Sequence, residues 1–259
     1  MNQDERRDYL IGYLLEERDI SLPPSEMPQD AAGKRMLLRA LFNTRMPAEA
    51  PEEFIAIQDA YLKQRAIEKS ITDYQTLKSI EEGIYLWRGD ITTLSCDAIV
   101  NAANSALLGC FQPNHSCIDN AIHTFSGVQL RLACKRYLDK HGIDEVAPGG
   151  AVLTPAFNLP ARYVLHTVGP IVSGSPTPDD ERTLASCYRS CLECARDAGV
   201  QSVAFCCIST GVFGFPAERA ASIAVKTVRQ FREENGTSPD VIFNVFKESD
   251  YEIYKRALG

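Results

Sequence analysis

Apolar residues are spaced in two ways along this chain, and the change falls near residue 80. Before it, Leu10, Ile11, Leu14 and Leu15 follow an i, i+1, i+4, i+5 pattern that lines one helical face, and Met36, Leu37, Leu38, Leu41 and Phe42 repeat it. Leu22-Pro23-Pro24-Ser25 lies between them as a helix stop and turn. Pro51 followed by Glu52 and Glu53 starts a third helix, with acids where the helix dipole favours them, and Phe54, Ile57, Tyr61 and Leu62 form its buried stripe. The pattern predicts three helices and no strand before about residue 80.

After Gly83, short apolar runs alternate with longer amphipathic segments. Strands are predicted at 84–87, 98–100, 151–153, 163–165, 203–208 and 241–246, and helices at 117–138, 181–197, 217–234 and 251–258. Ala98-Ile99-Val100 is apolar on both faces and so belongs at the centre of a sheet. Gly199 is the expected stop of the second of these helices. Strands alternating with helices predict a three-layer α/β domain over 81–259, preceded by an all-helical extension over 1–80. Internal repeats and low-complexity segments are absent from the sequence.

Composition narrows the classes of function. The chain has 259 residues, 45% hydrophobic and 24% charged, enough to build a full core without disulfide staples. A net charge of −7 argues against a non-specific nucleic-acid binder, which needs a basic face, although backbone N–H groups can still hold a small anion. Apolar runs fall short of a membrane span, and Met1 to Leu10 carry charges of both signs rather than a secretory core. Nine unevenly spaced cysteines point to a reducing compartment, so a cytoplasmic location is expected. Cys187, Cys191 and Cys194 at helical spacing, and Cys206 and Cys207 in an apolar run, read as packing residues.

Four segments carry candidate chemistry, each at or just after a predicted strand end, where open α/β sheets bind ligands. Asp90, next to Gly89 and before Ile91, is either a turn residue or an acceptor for an amino group. Asn101-Ala102-Ala103-Asn104 suits a backbone bend that presents side-chain amides. Ser209-Thr210-Gly211-Val212-Phe213-Gly214-Phe215 opens a helix at Pro216; its glycines permit close backbone approach, its N–H groups can cradle a diphosphate, and Phe213 and Phe215 can cover a ribose or base. The sharpest local signal is Gly109 to Cys117. Cys110, His115 and Cys117 are sulfur and imidazole ligands packed around Pro113, either an open three-ligand zinc site or three unrelated residues. Asp119 follows at a helix start, as a dipole-complementing acid or as a base beside the metal. His123 reads as a core or supporting residue, and His166 as a satisfied structural histidine.

In this order, Gly89-Asp90-Ile91, Ile99-Val100-Asn101-Ala102-Ala103-Asn104, His166-Thr167-Val168-Gly169-Pro170 and Ser209 to Pro216 resemble the macrodomain family, over about residues 83–259. The resemblance implies the macrodomain fold, a mixed central sheet flanked by helices. Its hydrolase branch carries a glycine run before the first ligand-binding helix; here Cys110 to Cys117 replaces that run, while Ile118-Asp119-Asn120-Ala121-Ile122-His123 keeps the rest. This resembles the microbial zinc-containing subfamily, which also has a helical N-terminal extension. The resemblance implies Cys110, His115 and Cys117 as ligands of a zinc cofactor (Zn2+). It implies Asn104 and Asp119 as catalytic residues at the distal ribose, and ADP-ribose bound by Asp90, Ile91, Asn104, Ile118, Asp119, Asn120 and Ser209 to Phe215. The implied activity is that of a glycosyl hydrolase removing mono-ADP-ribose from modified proteins; the alternative is a reader that binds ADP-ribose without cleaving it and keeps a structural zinc loop. Implied partners are ADP-ribose and an ADP-ribosylated protein, with a lipoyl-carrier protein and a sirtuin-like transferase as further implications. No nucleic acid or membrane partner is expected.

Overall fold

The computed structural model describes every residue except Pro24 and Thr237, so part of the predicted turn at 22–25 lies outside the described residues. The extension forms α1 (Gln3–Glu16), α2 (Ala31–Thr44) and α3 (Glu52–Glu68). Asn2 caps α1 through a capping box with Glu5, and the Asp30 carboxylate caps α2 by accepting from the N–H groups of Ala32 and Gly33. Leu10, Leu14, Leu38 and Phe54 are among the side chains buried between these helices.

The rest of the chain runs β1 (Thr72–Asp73), β2 (Ser79–Glu81), β3 (Ile84–Arg88), β4 (Leu94–Ser95), β5 (Ala98–Ala103), α4 (Ile118–Ser126), α5 (Val128–His141), β6 (Ala151–Pro155), β7 (Tyr163–Val168), α6 (Pro178–Asp197), β8 (Ser202–Phe205), α7 (Ala217–Asn235), β9 (Asp240–Val245) and α8 (Glu248–Leu258). Seven strands form one sheet in the order β2-β3-β9-β8-β5-β7-β6. Only the outer pairs, β2 with β3 and β6 with β7, are antiparallel. The five inner strands run parallel, and four of them, β9, β8, β5 and β7, are almost wholly buried, with Ile99 and Val100 of β5 fully covered. His166 meets Cys134 of α5 while its neighbour Thr167 lies beside Cys187 of α6, so α5 and α6 cover opposite faces of the sheet. The predicted three-layer arrangement is the one observed. No described helix is long and apolar enough to cross a membrane.

Three expectations change. The bend expected over Asn101-Ala102-Ala103-Asn104 is strand as far as Ala103, paired with β7, so only Asn104 lies beyond β5. Short strands do occur at or before residue 80, since β1 pairs with β4 and β2 starts at Ser79. The helix predicted over 117–138 is two helices, divided at Gly127 with φ of 97°. A Cβ there would meet the side chains of Gln58, Gln129 and Asn158 at 2.7–3.0 Å, so the break is where the extension's α3 closes on the α/β unit. Gln58 Oε1 accepts from Val128 N–H at 2.9 Å, and Val128 completes the extension's apolar cluster.

Candidate functional site

The five parallel strands end on one edge of the sheet, and the polar segments follow them there. Asp90 comes after β3, Asn104 after β5, Gly169 after β7, Ser209 after β8 and Phe246 after β9. Parallel strands leave unpaired backbone groups and helix N-termini at this edge, which is why α/β sheets bind ligands there.

The loop between β5 and α4 brings Cys110, His115 and Cys117 together, their ligating atoms all within 4.8 Å of one another. Cys110 Sγ and His115 Nδ1 are 3.6 Å apart. Bonds of about 2.3 Å to sulfur and about 2.0–2.1 Å to nitrogen at a tetrahedral angle leave such a pair about 3.6 Å apart, so the donors present fit a zinc ion. Cys117 is also the N-cap of α4, its sulfur accepting from Asn120 N–H at 3.4 Å. Burial, then the neighbouring Cys110 and Asp119, push the Cys117 thiol up to about 11. A divalent cation reverses that preference, because it binds the thiolate.

Asp119 lies in the first turn of α4, 5% exposed. Its carboxylate accepts from Asn101 Nδ2 at 2.8 Å and has His123 Nε2 at 3.5 Å. Burial raises its pKa to about 6 against the Asn101 hydrogen bond and the Arg131 charge. The other proton of the Asn101 amide points to His166 Nδ1 at 3.1 Å, which places the proton of neutral His166 on Nε2, facing Thr154 Oγ1 at 3.0 Å. Both nitrogens of His166 are thus engaged. His123, Cys134 and His166 form a second cluster of potential ligands, fully buried, but with His166 committed to Asn101 and Thr154 it offers no open position. Asn104 Nδ2 donates to Gly109 O at 3.1 Å, while its Oδ1 is buried without a partner among the described residues.

The loop after β8 is fixed at its ends. Phe215 N–H donates to Ser209 O at 3.0 Å, and Val172 N–H donates to Phe213 O at 2.8 Å. Gly214, with φ of 72°, lies where a Cβ would meet Val172 O at 2.8 Å. Among the described residues the N–H groups of Gly211, Val212 and Phe213 have no intramolecular acceptor, as a cradle for a diphosphate requires. Phe213 is half-buried, whereas Phe215 is 2% exposed. Phe215 therefore anchors the loop in the core instead of covering a ribose as the sequence suggested.

At the far end, Asp90 Oδ1 accepts from Thr92 N–H at 3.0 Å and Thr92 Oγ1 at 2.6 Å, and Oδ2 pairs with Lys69 at 2.5 Å. Burial alone would raise this carboxyl; Lys69 and Thr92 outweigh it and hold Asp90 below the usual carboxylate range. The Ile91 side chain is buried, leaving its backbone N–H for a ligand.

A macro domain model matches residues 100–224. The chain is 50% identical to a protein-ADP-ribose hydrolase of Treponema medium, each covering all of the other. This chain belongs to the macrodomain family. A protein-ADP-ribose hydrolase of Staphylococcus aureus is 45% identical over 98% of this chain and 95% of its own length. The solved macrodomain of Trypanosoma brucei in complex with ADP-ribose superposes with a TM-score of 0.66 at 32% identity, over 90% of this chain and 97% of that one.

Several residues at this edge of the macrodomain escape sequence reading. Phe246, 75% exposed at the end of β9 beside β3, looks like the last residue of a buried strand. Asn120 was expected on the ligand; its side chain is wholly buried instead, with Nδ2 donating to Cys110 O and Gln112 O at 3.3 and 3.0 Å. Ile118 stays half-buried at the start of α4. Arg39 and Asn43 of α2 reach the loop over residues 110–117, which no pattern in the extension announces.

Proposed function

We propose that this macrodomain is a zinc-bearing hydrolase that releases ADP-ribose from mono-ADP-ribosylated protein. The observation that supports it is the juxtaposition of Cys110, His115 and Cys117 with Asp119 and Asn104 at the ligand-binding edge of the sheet. Adenine lies between the Asp90 carboxylate, the Ile91 N–H and the exposed Phe246 ring, which stacks on it. The diphosphate rests on the N–H groups of Gly211, Val212 and Phe213. The distal ribose then reaches Asn104 and Asp119.

Asn104 Oδ1, lacking a partner, accepts from a ribose hydroxyl. Asp119 is held by Asn101, and its pKa of about 6 lets it accept a proton near neutral pH. Cys110, His115 and Cys117 would hold a zinc ion, which would supply Lewis-acid chemistry beside the distal ribose. Exclusion of water from the buried Asp119 strengthens each of these polar contacts.

The reading is tested by metal content and turnover together. Protein purified without added metal is expected to carry about one zinc per chain. Cys117→Ala should stay folded, lose release of ADP-ribose from a modified protein, and keep most of its affinity for free ADP-ribose, because the adenine and diphosphate contacts lie on other loops. Wild-type turnover in folded Cys117→Ala would remove zinc from the reaction. A wild type that binds ADP-ribose and releases none from any modified protein would leave a reader.

A further inference from the structure

The metal loop has little structure of its own. Residues 109–117 contain no regular element, and Asn114 adopts a left-handed φ of 55°. A segment of this kind is ordinarily mobile, since few of its backbone groups are satisfied internally. A site that keeps three ligating atoms within 4.8 Å of one another therefore needs an external frame.

That frame comes largely from the extension. Arg39 of α2 places its guanidinium between two parts of the loop's support. Its Nε and Nη2 donate to Asn120 Oδ1 at 3.1 and 2.8 Å, and Nη2 donates to the carbonyl of the ligand residue His115 at 2.9 Å. With its oxygen fixed by Arg39, the Asn120 amide is oriented to donate to Cys110 O and Gln112 O. One turn further along α2 and on the same face, Asn43 is 1% exposed. Its Oδ1 accepts from Asn114 N–H at 3.0 Å, next to His115, and its Nδ2 donates to Thr124 of α4 at 2.9 Å. Backbone on both sides of Pro113 is thus tied to α2 directly or through Asn120.

We infer that Arg39, seconded by Asn43, is a positioning residue of the metal site, so that the helical extension supplies the frame of loop 110–117. The inference rests on the metal reading proposed above. Arg39 makes no hydrogen bond to a ligand atom; it holds the carbonyl of His115 and Asn120, and its charge also bears on the Cys117 sulfur. A planar guanidinium suits this task because its Nε and Nη2 converge on one acceptor while Nη2 has a further N–H for a second, a geometry that an ammonium cannot copy. Groups that orient metal ligands from behind typically change metal affinity 10–100-fold when removed. The loss should appear mainly as faster release, since the loosened loop lets one ligand leave before the others.

The test uses the full-length zinc-loaded protein and measures the rate of zinc transfer to excess chromogenic chelator. Three variants are compared with the wild type: Arg39→Met, Arg39→Lys and Gln58→Met. Gln58 joins the extension to α5 through Val128 and Gln129, away from the metal loop, and so controls for weakened docking alone. Arg39→Met is expected to release zinc roughly 10–100-fold faster, Arg39→Lys to fall between it and wild type, and Gln58→Met to stay within about twofold of wild type while melting lower. Should Arg39→Met fail to fold by circular dichroism, Arg39→Lys decides the question. Wild-type release rates in folded Arg39 variants would overturn the inference while leaving the metal reading intact, and so would equal acceleration in Gln58→Met. A wild-type protein without zinc would instead remove the metal reading, and this inference with it.

Discussion

Asp90 serves two partners from one carboxylate, capping the turn at Thr92 and pairing with Lys69. If it also accepts from adenine, Asp90→Ala should weaken ADP-ribose binding roughly tenfold to a hundredfold, from a charged hydrogen bond of about 1.5–3 kcal/mol. Phe246→Ala should lose a stacking contact of about 1–3 kcal/mol; calorimetry with ADP-ribose reads both, and unchanged affinity in either would move the adenine elsewhere. Buried His166 sets a pH dependence of stability. Burial depresses its pKa to about 3 in the folded state, against an ordinary 6.5, and His123 is depressed in the same direction. The unfolded chain thus binds more protons, and the stability present above about pH 6.5 is lost as pH falls toward 3. Asp119, raised to about 6, acts oppositely between its ordinary 3.8 and about 6. His166→Gln should therefore flatten the acid limb by up to about 1.4 kcal/mol per pH unit, checked by urea unfolding from pH 4 to 7. The clustering of Cys110, His115 and Cys117 was legible at this scale, because reactive types fall there at short spacing. Phe246 and Phe215 were not, since an aromatic beside a strand reads the same whether it faces core or cleft, and here the two do the opposite.

At the scale of elements, periodicity located the long helices and the inner strands, whose buried faces leave a strong apolar signal. It failed where backbone geometry outweighs side-chain pattern. Apolar spacing runs on through residues 117–138, and only the conformation of Gly127 divides them. Likewise β1, two residues long, is made by backbone pairing with β4 rather than by burial of its side chains. Gly127→Ala, which puts a Cβ into three polar side chains at a φ that suits glycine, should lower unfolding stability by about 1–3 kcal/mol and leave ADP-ribose affinity little changed. Gly214→Ala meets the Val172 carbonyl and should shift the loop after β8, so here affinity is expected to fall more than stability. Equal losses of affinity in the two variants would argue against that loop as the diphosphate cradle.

Across the whole molecule, Arg131 of α5 joins the two parts of the chain. It donates to the carbonyls of Phe42, Asn43 and Arg45 in the extension and of Leu108 before the 110–117 loop, and lies over the Phe111 ring at 4.3 Å. Arg131→Met should cost about 3–5 kcal/mol, because it strands several buried carbonyls at once. Wild type is expected to unfold in one step, with fluorescence and circular dichroism coincident in urea; two separated transitions would mean the extension is an independent unit. The same join has a consequence for the order in which the chain acquires its shape during synthesis. The extension leaves the ribosome first and can form its helices from local contacts within microseconds. Yet Arg131, which fastens them, lies 86 residues beyond Arg45, and Val128, which completes their apolar cluster, is made only three residues earlier than Arg131. At about 5–20 residues per second, the helices wait several seconds with an open apolar seam for α5 to arrive. Nascent chains stalled before residue 128 should therefore recruit chaperones that chains stalled beyond α5 do not.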